Sequence, residues 1–414
     1  MSKKLFIVIN LLLLFALVVK NFIYNFFNIY RFGTYNDCGL TEWLINYQGG
    51  FIRRGIFGEI FYHFSKTFLI SANDIWLIVT CSSYLYLFYY LVKKTKKKFR
   101  LELIISPIIL GMPIYTNFLW KKDIFQLLLF LLTLLIIKKN WNVILKIIVI
   151  NFLCIIALLN HEAFMFYAVP SLFIISLFLW EKKNILILKL LKSFLSFLPI
   201  FITILIIFYA TFSDLNLSQK TLNIIQSWNP LWLEIEGKLP SDLGCFMFVA
   251  SNEHGVSINT KLTTFLEWYS LSWIALILIS FYCCIQFTTK SSLSNKINLS
   301  KILLSQLIFL LPLFYLGGDW SRWIFFWVIS SLMIHLEFKN YNLYNIIIYQ
   351  KFINNLLNLK IFNIVPSCWL LFFIGFPYIN YFIRDFLDYM WVTPIGKIIT
   401  GSYKLLVWIT KIIF

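Results

Sequence analysis

Charge is scarce in this chain: only 13% of its 414 residues are Asp, Glu, Lys or Arg, and 60% are hydrophobic. A soluble domain carries about 25% charged residues, so a water-soluble globular fold is excluded. The apolar runs are continuous rather than alternating with a period of two, which argues against a membrane β-barrel. Seven cysteines show no CxxC pair and no metal-ligand spacing, so neither a zinc site nor a dithiol redox centre is expected. No P-loop, Rossmann glycine fingerprint or Ser-His-Asp order is present. These absences argue against ATP-driven transport by this chain alone, and no cofactor or metal is expected. An internal repeat is also missing, which argues against repeat-built secondary transporters and duplicated flippases.

What remains is a chain of apolar runs of about 20 residues, the length that crosses a bilayer as a helix. The reading is an all-α polytopic membrane protein, residues 1–414 forming a single integral-membrane domain. The formal charge of +18 sits in short clusters between the runs. That is the placement the positive-inside rule produces, and no Lys/Arg stripe marks a nucleic-acid face. With Lys3-Lys4 cytoplasmic and no A-x-A cleavage site after the first run, helix one (5–30) reads as a retained signal anchor.

About eleven transmembrane helices follow from this start. Helix two (75–92) returns to the basic stretch Lys93 to Arg100. Helices three and four (103–119 and 124–137) form a hairpin around Trp120-Lys121-Lys122-Asp123. Helices five to seven (143–160, 163–180 and 193–212) and eight to eleven (268–287, 302–316, 323–336 and 362–383) complete the count. Outside lie a first loop (31–74), with an interfacial or re-entrant helix around Phe51 to Leu69, and a long loop (213–267). In the tail 391–414, Lys397, Lys404 and Lys411 recur every seven residues on one helical face, which favours an amphipathic interfacial helix over a twelfth span. Under this topology 21 of the 36 basic residues fall inside and 15 of the 18 acidic residues fall outside. Acids contribute little to insertion, so their outward crowding points to a working outer face. Cys38 and Cys245 both fall on that side, leaving a disulfide between them open.

Three polar clusters stand in apolar surroundings on the expected outer side. Arg53 and Arg54 lie between Gly49-Gly50 and Gly55; paired guanidiniums offer fork-shaped donors to phosphate oxygens, and nearby glycines let a ligand approach the backbone. Interfacial arginines on lipid headgroups are the alternative. His161-Glu162 separates two apolar runs, and ionisable residues at membrane depth are costly and usually functional; the alternative is a capped surface turn. In Gly317 to Trp323, Trp320 offers a sugar platform, Arg322 a phosphate partner and Asp319 a hydroxyl acceptor, against an aromatic belt with a local ion pair. Asp37 and Glu42 in the first loop are candidates to deprotonate an acceptor hydroxyl, or else solvated acids.

This arrangement of spans, one long outer loop, an acidic first outer loop and outer-face Arg and His resembles bacterial surface-polysaccharide enzymes. It is similar to O-antigen polymerases of the Wzy type and to GT-C-type lipid-linked sugar transferases. The resemblance implies transfer of a glycan from an undecaprenyl-diphosphate carrier to an acceptor sugar at the outer leaflet of the bacterial inner membrane. Asp37, His161 and Glu162 would be catalytic, and Arg53, Arg54, Asp319, Trp320 and Arg322 would bind substrate. Membrane lipid and a chain-length regulator protein are the implied partners, with no nucleic acid. A transferase adding one sugar from an undecaprenyl-phosphate donor and a flippase for lipid-linked oligosaccharide are the rival expectations.

Overall fold

The computed structural model describes residues 38–95, 101–115, 121–177, 186–212, 217–237, 269–286, 293–316 and 320–338, with a few isolated positions besides. Asp37, Asp319, Cys245, most of helix one, the far part of the long loop, helix eleven and the 391–414 tail lie outside the described residues. Among the described residues every regular element is a helix and none is a strand. In order these are α1 (Cys38–Trp43), α2 (Ile56–Phe68), α3 (Ala72–Thr95), α4 (Leu101–Ile104), α5 (Met112–Tyr115), α6 (Asp123–Lys138), α7 (Val143–Asn160), α8 (Phe164–Tyr167), α9 (Val169–Ser176), α10 (Leu186–Ser196), α11 (Leu198–Phe212), α12 (Leu217–Glu236), α13 (Tyr269–Gln286), α14 (Leu293–Leu316) and α15 (Trp320–Phe338). Among the described residues three segments are long and apolar enough to cross a membrane: Ala72–Thr95, Val143–Asn160 and Asn295–Tyr315. The pair Leu186–Ser196 and Leu198–Ala210, bent by 53°, makes a fourth when counted as one broken span.

The chain divides into two compact units, residues 20–89 with 119–257 and residues 1–19 with 90–118 and 258–414. The first carries Arg53, Arg54, His161 and Glu162. In it α6 and α7 form an antiparallel hairpin, α11 packs on α7, and α2 touches both α7 and α12. The start of α7 is set by Asn142, whose side chain accepts the Ile144 amide, filling one orphan donor of the first turn. Its end comes at His161, whose extended backbone (φ −163°, ψ 125°) cannot continue the helix.

Around this hairpin an aromatic core forms from Trp43, Phe61, Trp76, Trp228 and Trp232 with Leu44, Ile45 and Ile52. Trp43 stacks on Phe61 at 5.6 Å between centroids, and Trp228 Nε1 donates to the Leu44 carbonyl at 2.9 Å. Gly58 is required here: a Cβ on it would run into the Ile45 carbonyl, so α2 lies directly on the 44–45 backbone.

The second unit is built on α14 and α15, which pair closely, with Trp327 Nε1 donating to the Leu303 carbonyl at 2.6 Å. Nearly every side chain of α15 is buried, the signature of a helix enclosed on all sides.

The helices depart from the expected bounds at four places. Of the expected third helix (103–119), the described part, 103–115, is not one continuous helix. Between α4 and α5 the backbone closes turns, with Ile109 N bonded to Ser106 O and Leu110 N to Ile104 O, because Pro107 and Gly111 interrupt the run. Helix six has an irregular residue at Ala168, two before Pro170, whose missing amide hydrogen removes a helical bond, but it runs on as one apolar helix over Phe164–Ser176. Helix seven is bent two residues before Pro199. The long loop begins with α12, a 20-residue helix carrying Pro230 inside it.

Candidate functional site

Glu162 is the centre of the site, in the turn that follows α7. Arg53 Nη1 donates to its Oε1 at 3.1 Å. Arg54 donates from Nε to Oε2 at 2.8 Å and from Nη2 to Oε1, the two-pronged grip that a planar guanidinium makes on a carboxylate. The remaining terminal nitrogen, Nη1, donates to Glu42 Oε1 at 2.6 Å. One arginine therefore clamps two carboxylates, from α1 and from the turn after α7, which lie far apart in sequence.

The backbone of Arg54 is unusual. Its φ of 66° puts a non-glycine residue in the left-handed region, which costs free energy unless the surroundings enforce it. Lys122 Nζ donates to the Arg54 carbonyl at 2.7 Å and to the Asn160 carbonyl at 3.4 Å. It thus ties the arginine turn to the last turn of α7. Gly55, immediately after, lies against the Tyr47 ring so closely that a Cβ would overlap it.

His161 completes the group. Its Nδ1 accepts the Ala163 amide at 3.1 Å, so the neutral ring carries its proton on Nε2. That nitrogen lies 3.5 Å from Glu42 Oε1, and Nδ1 lies 3.8 Å from Glu162 Oε2. Gln126, one turn beyond Lys122 on α6, donates to the His161 carbonyl at 2.5 Å. Behind these groups both amide atoms of Asn160 and Oε1 of Gln126 are buried with no hydrogen-bond partner, leaving polar capacity unused.

Exposure separates the members. His161 and Glu42 are buried, whereas the Arg53 side chain is 27% exposed and that of Glu162 18%. Burial would raise the Glu162 carboxyl, but Arg54, His161 and Arg53 outweigh it and hold the group well below the usual carboxylate range. Burial draws the Lys122 amine down to about 7, against the pull of Glu42. Among the described residues no group of three or more His, Cys, Asp or Glu side chains is placed to hold a metal ion.

The structure thus brings together four of the eight residues that the resemblance assigns to the site, Arg53, Arg54, His161 and Glu162, and with them the first-loop candidate Glu42. Trp320 and Arg322 belong to the other unit, where the Arg322 guanidinium lies 5.4 Å from the Trp323 ring and Trp320 meets Phe314 edge-on at 5.8 Å. Asp37 and Asp319 are outside the described residues. Lys122 had no place among the expected site residues, since the Lys121-Lys122-Asp123 turn reads as an ordinary hairpin loop. Its one signal in the sequence is a basic residue almost directly abutting an apolar run. Compared with known proteins, the chain matches no family model, no curated protein and no solved structure.

Proposed function

We propose that the chain is a glycosyltransferase of surface-polysaccharide assembly, working as a polymerase at the outer leaflet of the bacterial inner membrane. In this reading it has eleven spans with a cytoplasmic N-terminus. It moves a glycan from an undecaprenyl-diphosphate carrier to the hydroxyl of an acceptor sugar, in company with a chain-length regulator. The observation that carries the proposal is the gathering of Arg53, Arg54, Glu42, His161 and Glu162 into one group between apolar helices. So many ionisable residues at such a place are costly to maintain and are found where a membrane protein works.

The chemistry follows from the exchange of partners. No nucleotide sugar is available outside the cell, so the carrier diphosphate is the leaving group. The bond between the anomeric carbon and the phosphate oxygen breaks, and its electron pair stays on the diphosphate. Arg53, the more exposed guanidinium, meets that charge as it develops. As Arg53 and Arg54 turn toward phosphate, Glu162 loses the cations that keep its proton affinity low. Its carboxylate then accepts the proton of the acceptor hydroxyl as the new carbon–oxygen bond forms. His161 and Glu42 orient the pair from behind. The reading rests on the first unit alone.

Deletion of the gene in a strain that makes the polymer tests the assignment through the lipopolysaccharide gel profile. Loss of a polymerase leaves core bearing one repeat unit. Core alone would indicate a flippase, and an intact ladder with altered serology a single-sugar transferase; either result rejects the proposal. Complementation with Arg54→Gln or His161→Gln that restored normal polymer length and amount would count equally against it.

A further inference from the structure

Lys122 is fully buried and takes no part in the chemistry just described. A buried lysine normally extends its stem until the ammonium reaches water. This one ends instead against two main-chain carbonyls, Arg54 O at 2.7 Å and Asn160 O at 3.4 Å, with Nζ 5.7 Å from the centre of the Trp43 ring. The charged groups that act on it are Glu42 from α1, Arg54 from the turn before α2 and Glu162 from the turn after α7. His161 follows Asn160 in that turn, and Lys121 and Asp123 flank Lys122 on its own segment.

We infer that Lys122 is the positioning residue of this site: it holds Arg54 in its left-handed conformation, and the gain or loss of its proton alters the attraction of the cluster for an anion. The first half stands on geometry alone; the second rests on the anion-binding reading above. A left-handed arginine persists only where its surroundings enforce it, and the Lys122 bond to its carbonyl is such a constraint. A neutral amine still has two N–H groups for the two carbonyls, so deprotonation leaves the geometry in place. What it removes is one positive charge. With Lys122 protonated, Lys122, Arg53 and Arg54 face the carboxylates of Glu42 and Glu162 beside His161; without its proton the cluster holds one positive charge fewer. Because burial brings this amine to about 7, the change falls near neutral pH. Loss of a unit charge a few ångströms from a bound phosphate weakens it on the order of tenfold.

The test uses the full chain in detergent and two readouts. A symmetrical dialkyl diphosphate serves as probe, because its charges do not titrate between about pH 6 and about pH 8.5. The proposal expects its Kd to rise about tenfold across that range. Lys122→Arg should keep tight binding throughout, Lys122→Met should bind weakly with a flat profile, and His161→Gln should keep the wild-type slope. Independently of any ligand, the Trp43 contribution to fluorescence (wild type minus Trp43→Phe) should titrate over the same range and be flat in Lys122→Met. A slope that persists in Lys122→Met or vanishes in His161→Gln overturns the inference, as does a Trp43 signal that does not titrate. If the wild type bound no diphosphate at any pH while Trp43 still titrated, the anion-site reading would fail and the inferred effect of Lys122 on anion binding with it, leaving only its ionisation near neutral pH.

Discussion

Arg53 and Arg54 are neighbours in sequence with different duties. Arg54 uses three of its nitrogens on Glu42 and Glu162, so its removal strands two carboxylates in poor solvent. Breaking a buried pair from one side costs on the order of 3–5 kcal/mol. Arg54→Ala should therefore lower the melting temperature of the solubilised protein sharply. Arg53→Ala removes one partly exposed contact, costs about 1 kcal/mol or less, and should abolish transfer while leaving the melting temperature nearly unchanged. Equal melting temperatures for the two variants would contradict this division.

Lys122 gives a second prediction with a definite sign. Its proton affinity is lower folded than unfolded, so above about pH 7 the unfolded chain binds more protons and stability rises with pH. The rise should end near pH 10, where the Tyr47 phenol, raised by its own burial, begins to act the other way. Thermal melts across this window in wild type and Lys122→Met measure it, and the slope should be missing from the variant. The sequence made Arg53, Arg54 and His161-Glu162 legible because each interrupts apolar surroundings. Lys122 was not legible, since a Lys-Lys-Asp turn between two apolar runs is also what orientation and solvation produce.

Among the elements, α7 was readable almost to the residue, from Asn142 at its start to His161 at its end, because the apolar run is unbroken and both ends carry polar residues. The breaks were harder. Pro170, Pro199, Pro107 and Gly111 each lie inside runs whose hydropathy alone reads as one span, and hydropathy is blind to the missing hydrogen bond. The helix α12 was hidden for the opposite reason. It carries enough polar residues to pass for a loop, and it is held by Trp228 and Trp232, which pack into a core that no local pattern reveals. At this scale the test is Gly58→Ala. Its Cβ meets main chain on α2's buried face, so α2 must shift, at a cost of about 3 kcal/mol. Gly237→Ala, at φ 68° with nothing within 4 Å of the added carbon, should cost only about 1 kcal/mol. Urea or thermal unfolding of the two variants would show whether close packing or backbone conformation dominates.

For the whole molecule, the distribution of charge carries the argument. Acidic residues crowd the expected outer side beyond what orientation demands, and Glu42 and Glu162 are both found clamped in one ion-pair group. If the proposed topology holds, a single cysteine introduced at exposed Gly50 reacts with a membrane-impermeant maleimide added to intact spheroplasts, and one introduced at exposed Lys94 reacts only after lysis. The reverse pattern would place the site at the cytoplasmic face and contradict the proposal. The most direct measurement is transfer itself, followed in proteoliposomes holding the purified chain, a polyprenyl-diphosphate-linked glycan and an acceptor. The account predicts release of polyprenyl diphosphate in step with glycan elongation, lowered at least about a hundredfold in Arg53→Ala and in Glu162→Gln, in keeping with the loss of charge stabilisation or of a proton acceptor. Turnover in those two variants equal to the wild type would contradict it.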